Sequence, residues 1–216
     1  MDRQESPQPA RRGFDEAYQQ AYQLASRRLK DTADLHALCR RSDATLAEEA
    51  GEKIISLDYL GRSCRVILPD VEASVTNGEP LSPRDKLIIL HYLNTADGSP
   101  LTDRLITFKE LPEGAVYYPT YVKRTIKPLL DKFADRPEAL MVAAGDIGGI
   151  KAETGDFSFR LNPLPRVPLT FTLWLGDEEL PPEGNILFDS SITGYLPTED
   201  ITVLCEILAW KLVRLG

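Results

Sequence analysis

From Phe14 to Lys30 apolar side chains return at helical spacing. Phe14, Ala17, Tyr18, Ala21, Tyr22, Leu24, Ala25 and Leu29 alternate with Gln and Arg, which predicts an amphipathic helix. Asp31 or Thr32 can cap a second short helix running to about Arg40, and Asp43 through Ala50 reads as a third helical piece closed by Gly51. The period then changes. Ile54 to Leu60 and Cys64 to Leu68 are rich in β-formers and flank Gly61-Arg62-Ser63, a hairpin signal. A short strand, Val71 to Val75, ends at the turn dipeptide Asn77-Gly78.

Ser82-Pro83-Arg84-Asp85 is a helix start, with Ser as N-cap, Pro in the first turn and an acid behind it. The helix it opens, to Ala96, carries Leu87, Ile88, Ile89, Leu90, Tyr92 and Leu93 almost all round, so it should be central and buried. Leu105 to Leu111 reads as extended. Tyr117 to Phe133 reads as a helix that Pro128 must kink or restart, and Pro137 to Ala144 as another ending at Gly145. Phe157 to Leu161 and Val167 to Leu175 are the last clear strands. Thr198 is placed to cap a terminal helix whose stripe is Ile201, Leu204, Cys205, Leu208, Leu212 and Leu215. Strands cluster instead of alternating with helices. The expected architecture is therefore α+β, with mainly antiparallel strands flanked by helices. Residues 1–13 read as a disordered tail and 14–216 as one domain, with 14–50 as a helical part packing on it.

A chain of 216 residues can bury a core without metal or disulfide support. The net charge of −8 argues against non-specific nucleic-acid binding and against docking on anionic membranes. It favours a protein partner with a basic face. Cys39, Cys64 and Cys205 show no framework or CxxC spacing, which suits free thiols in a reducing compartment. With no apolar leader and no apolar run of membrane-spanning length, the expected location is the cytoplasm.

Familiar catalytic patterns find no footing. Gly145-Asp146-Ile147-Gly148-Gly149 lacks phosphate-loop spacing and follows a helix, so helix capping and a turn account for it. There is no GxSxG elbow and no HExxH. His36 and Cys39 could give a metal two ligands, but a surface coincidence is the plainer reading. The basic, aromatic stretch Tyr117, Tyr118, Tyr121, Lys123, Arg124 and Lys127 is better read as an amphipathic helix than as a nucleic-acid surface. His91, inside the most apolar helix, is expected to be a core histidine whose burial favours the neutral ring.

The most informative segment is Trp174 to Asp200. It holds Asp177, Glu178, Glu179, Glu183, Asp189, Glu199 and Asp200 and no Lys or Arg. These acids could hold a hard cation or work as an acid–base pair, but a solvated acidic loop is the simpler expectation. The candidate binding residues are His91, Arg166, Trp174, Asp177, Glu178, Glu179, Phe188 and Asp189. Cofactor, metal and oligomeric state are left open.

These residues also carry a resemblance. The runs Trp174 to Pro181, Ile186 to Asp189 and Tyr195 to Asp200 resemble the C-terminal signature of the domain of unknown function 3786 family. Leu90-His91-Tyr92-Leu93, Phe108-Lys109-Glu110-Leu111-Pro112 and Gly148-Gly149 share that resemblance. It covers most of the chain from about residue 50. It implies a setting in anaerobic bacteria and archaea, and by association corrinoid or one-carbon metabolism, since some members resemble fusions to a four-cysteine iron–sulfur module. Here the chain departs from the pattern, because its three cysteines cannot form that module, and Leu180 stands where Phe is expected. Three readings follow. The first is an accessory protein that binds a partner or a cofactor-bearing protein. The second is a carboxylate-based, metal-assisted enzyme using Asp177, Glu178, Glu179 and Asp189 with His91 as proton carrier. The third is a small-ligand binder walled by Trp174 and Phe188.

Overall fold

The computed structural model describes the backbone of residues 9–216 and side chains from residue 17 onward. The first helix, α1 (Pro9–Lys30), starts earlier than the sequence suggests. Residues 1–8 of the tail expected over 1–13 lie outside the described residues. A short α2 (Leu35–Ser42) is capped by Asp34, whose carboxylate accepts from Ala37 N, and not by Asp31 or Thr32. Asp43 closes it in the left-handed conformation.

The third helical piece expected after Asp43 is a strand, β1 (Thr45–Glu49). Thr-Leu-Ala-Glu-Glu holds helix formers, but the left-handed Asp43 turns the chain away from α2. The segment then finds a ladder, pairing Thr45 with Ser56 and Glu49 with Glu52. β2 (Glu52–Tyr59), β3 (Arg62–Leu68) and β4 (Glu72–Val75) complete an antiparallel meander in the order β1-β2-β3-β4. Cys64, Val66 and Leu68 alternate inward along β3, opposite Leu57, Ile55 and Lys53.

The apolar helix α3 (Pro83–Thr95) is as central as its composition demands, with Ile89, Leu90 and Tyr92 wholly buried. Its start is a full capping box. Ser82 Oγ accepts from Asp85 N, and the Asp85 carboxylate accepts from Ser82 N. The helical N-terminal part packs on it and on the first sheet. Asn94 donates to Ala25 O, Arg41 to Ala96 O, and Tyr22 OH to Val71 O.

β5 is short (Leu105–Thr107) and gives way to a 3-10 turn at Phe108–Glu110, so the extended run expected to Leu111 is only partly a strand. The long helix expected over Tyr117–Phe133 divides at Thr125 into α4 (Gly114–Arg124) and α5 (Ile126–Phe133). Pro128 falls in the opening turn of α5, where no N–H is required. After α6 (Pro137–Gly145) come β6 (Ile150–Lys151), β7 (Phe157–Leu164) and β8 (Val167–Trp174).

A further strand, β9 (Glu183–Asp189), occupies part of the segment expected as an acidic loop. It lies between β5 and β8 in the antiparallel sheet β5-β9-β8-β7-β6. Ile186 and Phe188 alternate inward. Preceding prolines and acids disguise this short run, and two flanking strands supply the hydrogen bonds that make it regular. The terminal helix α7 (Thr198–Leu215) has Pro197, not Thr198, at its N-cap. Thr198 Oγ instead donates to Pro112 O at 2.8 Å. The fold is α+β with two antiparallel sheets. Helices α3 and α7 share the core with both.

Candidate functional site

The acidic residues at 177–179 occupy the loop joining β8 to β9, beyond the last paired positions Trp174 and Glu183. The loop is braced from within. Asp177 Oδ1 accepts from Glu179 N and Leu180 N, both at 2.8 Å, and Asp177 N donates to Leu180 O at 2.9 Å. Those amide hydrogen bonds hold the Asp177 carboxyl below its usual range. Leu175 N donates to Asp156 at 2.7 Å. Gly176 is required by close approach, since a Cβ there would meet Leu180 O and Pro182 N at 2.7 Å.

What this brace presents is both apolar and acidic. Trp174 is 38% exposed, Leu175 43% and Leu180 67%. Glu178, Glu179 and Glu183 are exposed around them. None of the three makes an ion pair among the described residues. A depression of about 410 Å³ runs beneath the loop, with Ala134 and Asp135 on its far side.

Asp189 and Phe188 stand elsewhere. Trp174 pairs with Glu183, and Leu169 with Phe188, five positions apart along the ladder, which is roughly 17 Å at strand rise. Trp174 and Phe188 therefore do not wall one pocket. Phe188 is wholly buried against Phe108, with ring centroids 6.5 Å apart. Asp189 is 3% exposed and accepts from Thr102, Asp103 and Ser191. Its partners are loop amides and hydroxyls, so it ties the end of β9 to the segment entering β5. Arg166 also has a joining role. Its N–H donates to Tyr92 OH at 3.2 Å and its Nε lies 3.5 Å from Asp43 Oδ2. The carboxylates proposed as one catalytic set thus do not converge.

His91 is not the core histidine its helix suggested. Its ring reaches the rim of α3, where Nδ1 lies 2.7 Å from Asp200 Oδ2. Asp200 is in the first turn of α7 and is nearly buried. A carboxylate only accepts, so Nδ1 carries a proton in this contact. Nε2 has no hydrogen-bond partner among the described residues.

The pair lines a cleft of about 280 Å³ between α1, α3, α4 and α7, together with Tyr18, Arg84, Tyr117 and Arg124. Glu206 bridges the two arginines, at 3.2 Å from Arg84 and in a short contact with Arg124. Arg124 also donates to Tyr117 OH. The sequence places Asp200 in the acidic segment and Arg124 in the basic stretch but does not join them to Arg84 and His91, although a signal exists. Arg84, Leu87 and His91 repeat at helical spacing on α3, as do Glu199, Val203 and Glu206 on α7. Each stripe has a polar face that must meet something.

Among the described residues no group of three or more His, Cys, Asp or Glu is placed to hold a metal ion. His36 is exposed while Cys39, one turn along α2, is buried. All three thiols are buried. Burial raises each of them, Cys64 and Cys205 to about 12, so they behave as small hydrophobes. Among the described residues no helix is long and apolar enough to cross a membrane.

Segments that carry the resemblance meet around this part of the molecule. His91 meets Asp200, Thr95 Oγ donates to Tyr195 O, and Thr198 reaches Pro112. No curated protein and no solved structure matches the chain. A family model does match it over residues 34–211 of its 216, and the chain belongs to that family, the domain of unknown function DUF3786.

Proposed function

We propose that this protein is a non-enzymatic accessory protein that docks a basic-faced protein partner through the β8–β9 loop. One observation carries the reading: Trp174 at the end of β8 and Leu175 and Leu180 on the self-braced loop are exposed beside Glu178, Glu179 and Glu183, none of which has an ion-pair partner among the described residues. Exposed aromatic and leucine side chains supply the apolar centre of an interface, and a single-sign rim supplies steering and register. Because the loop is already ordered, little conformational freedom is lost on binding. The anaerobic setting, with corrinoid or one-carbon metabolism, is an expectation of the family likeness and of no residue in the loop.

The test is photo-crosslinking from position 178 in producing cells. The expected result is an adduct whose partner peptide is rich in Lys and Arg. It should be lost when Glu179→Lys and Leu180→Ala are combined, while Asp177 and Gly176 keep the turn intact. Absence of any adduct from 178 or 180 in a folded chain, or an adduct indifferent to both substitutions, would overturn the reading.

The His91–Asp200 pair favours a second reading, a proton-transfer site in the α1–α3–α4–α7 cleft. Asp200 orients the ring and leaves Nε2 to exchange a proton with a bound molecule. Long-range ¹H–¹⁵N correlation of the histidines is expected to show His91 with the Nδ1–H tautomer in its neutral form, and Asp200→Asn should shift the balance toward Nε2–H. A His91 ring that is Nε2-protonated in the native chain would remove this reading.

A further inference from the structure

Farther along α7 from the Asp200 cleft, its last turns form one wall of a groove of about 710 Å³. Leu60 and Arg62 from the β2–β3 turn form a second wall, and the 78–82 segment closes it. Four cations line the groove; Arg84 is paired with Glu206, and the remaining three are Arg62, Lys211 and Arg214. None of these three makes an ion pair within 4 Å among the described residues. The acids nearby are mostly committed. Asp85 accepts from Ser82 N, Ser82 Oγ and Tyr59 OH, and Glu206 bridges Arg84 and Arg124. Glu79 remains, and Arg62 Nη1 bonds its backbone carbonyl at 2.9 Å instead of its carboxylate.

Two further features mark the groove as incomplete by itself. Arg62 Nε is buried without a hydrogen-bond partner. Trp210 stands in the wall 46% exposed, the most exposed aromatic side chain among the described residues. Cations in the last turn of α7 also complement its carbonyl end, but that field leaves their N–H groups unbonded. Burial, with the charges of Arg62 and Arg214, holds the Lys211 ammonium below its usual range, while Asp85 and Glu79 act the other way. A chain of net charge −8 thus gathers three cations without a direct ion pair among the described residues beside an open indole.

We infer that this groove binds an organic phosphate bearing a planar ring, the phosphate held by Arg62, Lys211 and Arg214 and the ring against Trp210. Guanidinium forks and a lysine ammonium are the usual phosphate donors, and an indole face takes a ring of any sequence or substituent. The volume is that of a small-ligand site. The site shares no residue with the β8–β9 loop and does not rest on the docking proposal.

The probe is ATP, read by indole fluorescence. The chain has two tryptophans, so Trp174→Phe leaves Trp210 as the only reporter. Saturable quenching by ATP is expected, weakened by about tenfold or more when Lys211→Glu and Arg214→Glu are combined. Adenosine alone and tripolyphosphate alone should each bind about tenfold more weakly than ATP. Arg214 is exposed, so Arg214→Glu alone keeps the fold and should weaken binding about threefold if the double variant does not fold. No response at about 5 mM ATP, or equal affinity in the charge-reversed chain, would overturn the inference. Tripolyphosphate binding as well as ATP would overturn the ring contact.

Discussion

Replacing Asp189 with alanine is expected to cost about 4 kcal/mol of stability at neutral pH, read as a lower urea midpoint with unchanged slope. The carboxylate is buried at the junction of β9 and β5, where Leu105 pairs with Asp189. It accepts from Asp103 N at 2.8 Å, Ser191 N at 2.9 Å, Ser191 Oγ at 2.7 Å and Thr102 N at 3.1 Å. Alanine would leave those donors without an acceptor inside the protein, and an unmade buried hydrogen bond costs more than a made one contributes. Asp189→Asn keeps one acceptor oxygen, so about half the effect is expected.

The same residue gives a pH test. Burial pushes its pKa up, but the hydrogen bonds from Ser191 and Thr102 more than offset this and hold it at about 2, against 3.8 ordinarily. A carboxyl with a lowered folded pKa adds stability that is fully present above 3.8 and is lost as pH falls through about 2. The whole ionisation contribution is about 2 kcal/mol at pH 7, and about 1 kcal/mol of it should be gone by pH 3. The stability gap between the native chain and Asp189→Asn should narrow accordingly. A gap equal at both pH values would mean that the charged form is not what the loop amides bind.

Gly114→Ala is the second large effect, with an expected loss of about 3 kcal/mol or more. Gly114 opens α4 directly behind the 3-10 turn, and its N–H donates to Leu111 O at 2.9 Å. A Cβ there would stand 1.9 Å from Phe108 O, a backbone atom that no rotamer change can move. Nor can Phe108 retreat freely. Its ring is stacked on Tyr121 of α4 at 3.8 Å between centroids and 9° between planes, and both residues are wholly buried. Relieving the clash would undo that stack and the contact with Phe188. Gly145→Ala is the matched control. It ends α6, is exposed, and has no atom within 4 Å of a built Cβ, so it should be neutral or stabilising by up to about 1 kcal/mol. Urea unfolding of the two variants side by side checks the contrast. If Gly114→Ala is no worse than Gly145→Ala, the approach of α4 to Phe108 is looser than a 1.9 Å contact requires.

Where sequence and structure part, the reason is a non-local partner. Asp43 to Ala50 has helical composition, yet Thr45 to Glu49 forms an edge strand because β2 offers a ladder in register. Glu183 to Asp189 is obscured by its acids and by Pro181-Pro182, yet it becomes an inner strand because β5 and β8 flank it. The candidate site divides in the same way. The acidity and exposure of 177–179 were legible, since a loop at a strand end without cations has few ways to be buried. Asp189 belongs to the same acidic run but is buried, because Thr102 and Ser191 meet it there. His91 was legible as a residue on an apolar helix. Its pairing with Asp200 spans 109 positions and appears only when α7 crosses α3.

Local chemistry by itself determined the capping box at Ser82, the buried helix behind it, the β2–β3 hairpin, the terminal helix and the acidic turn. Each depends on contacts within a few residues, where spacing and side-chain type leave little choice. The tertiary structure alone decided which strands became neighbours, where α4 ends and α5 begins, which acids are buried, and what His91 and the cations around Trp210 face. Those outcomes depend on groups brought together from distant parts of the chain, and a stripe's period says that it has a partner without saying which one.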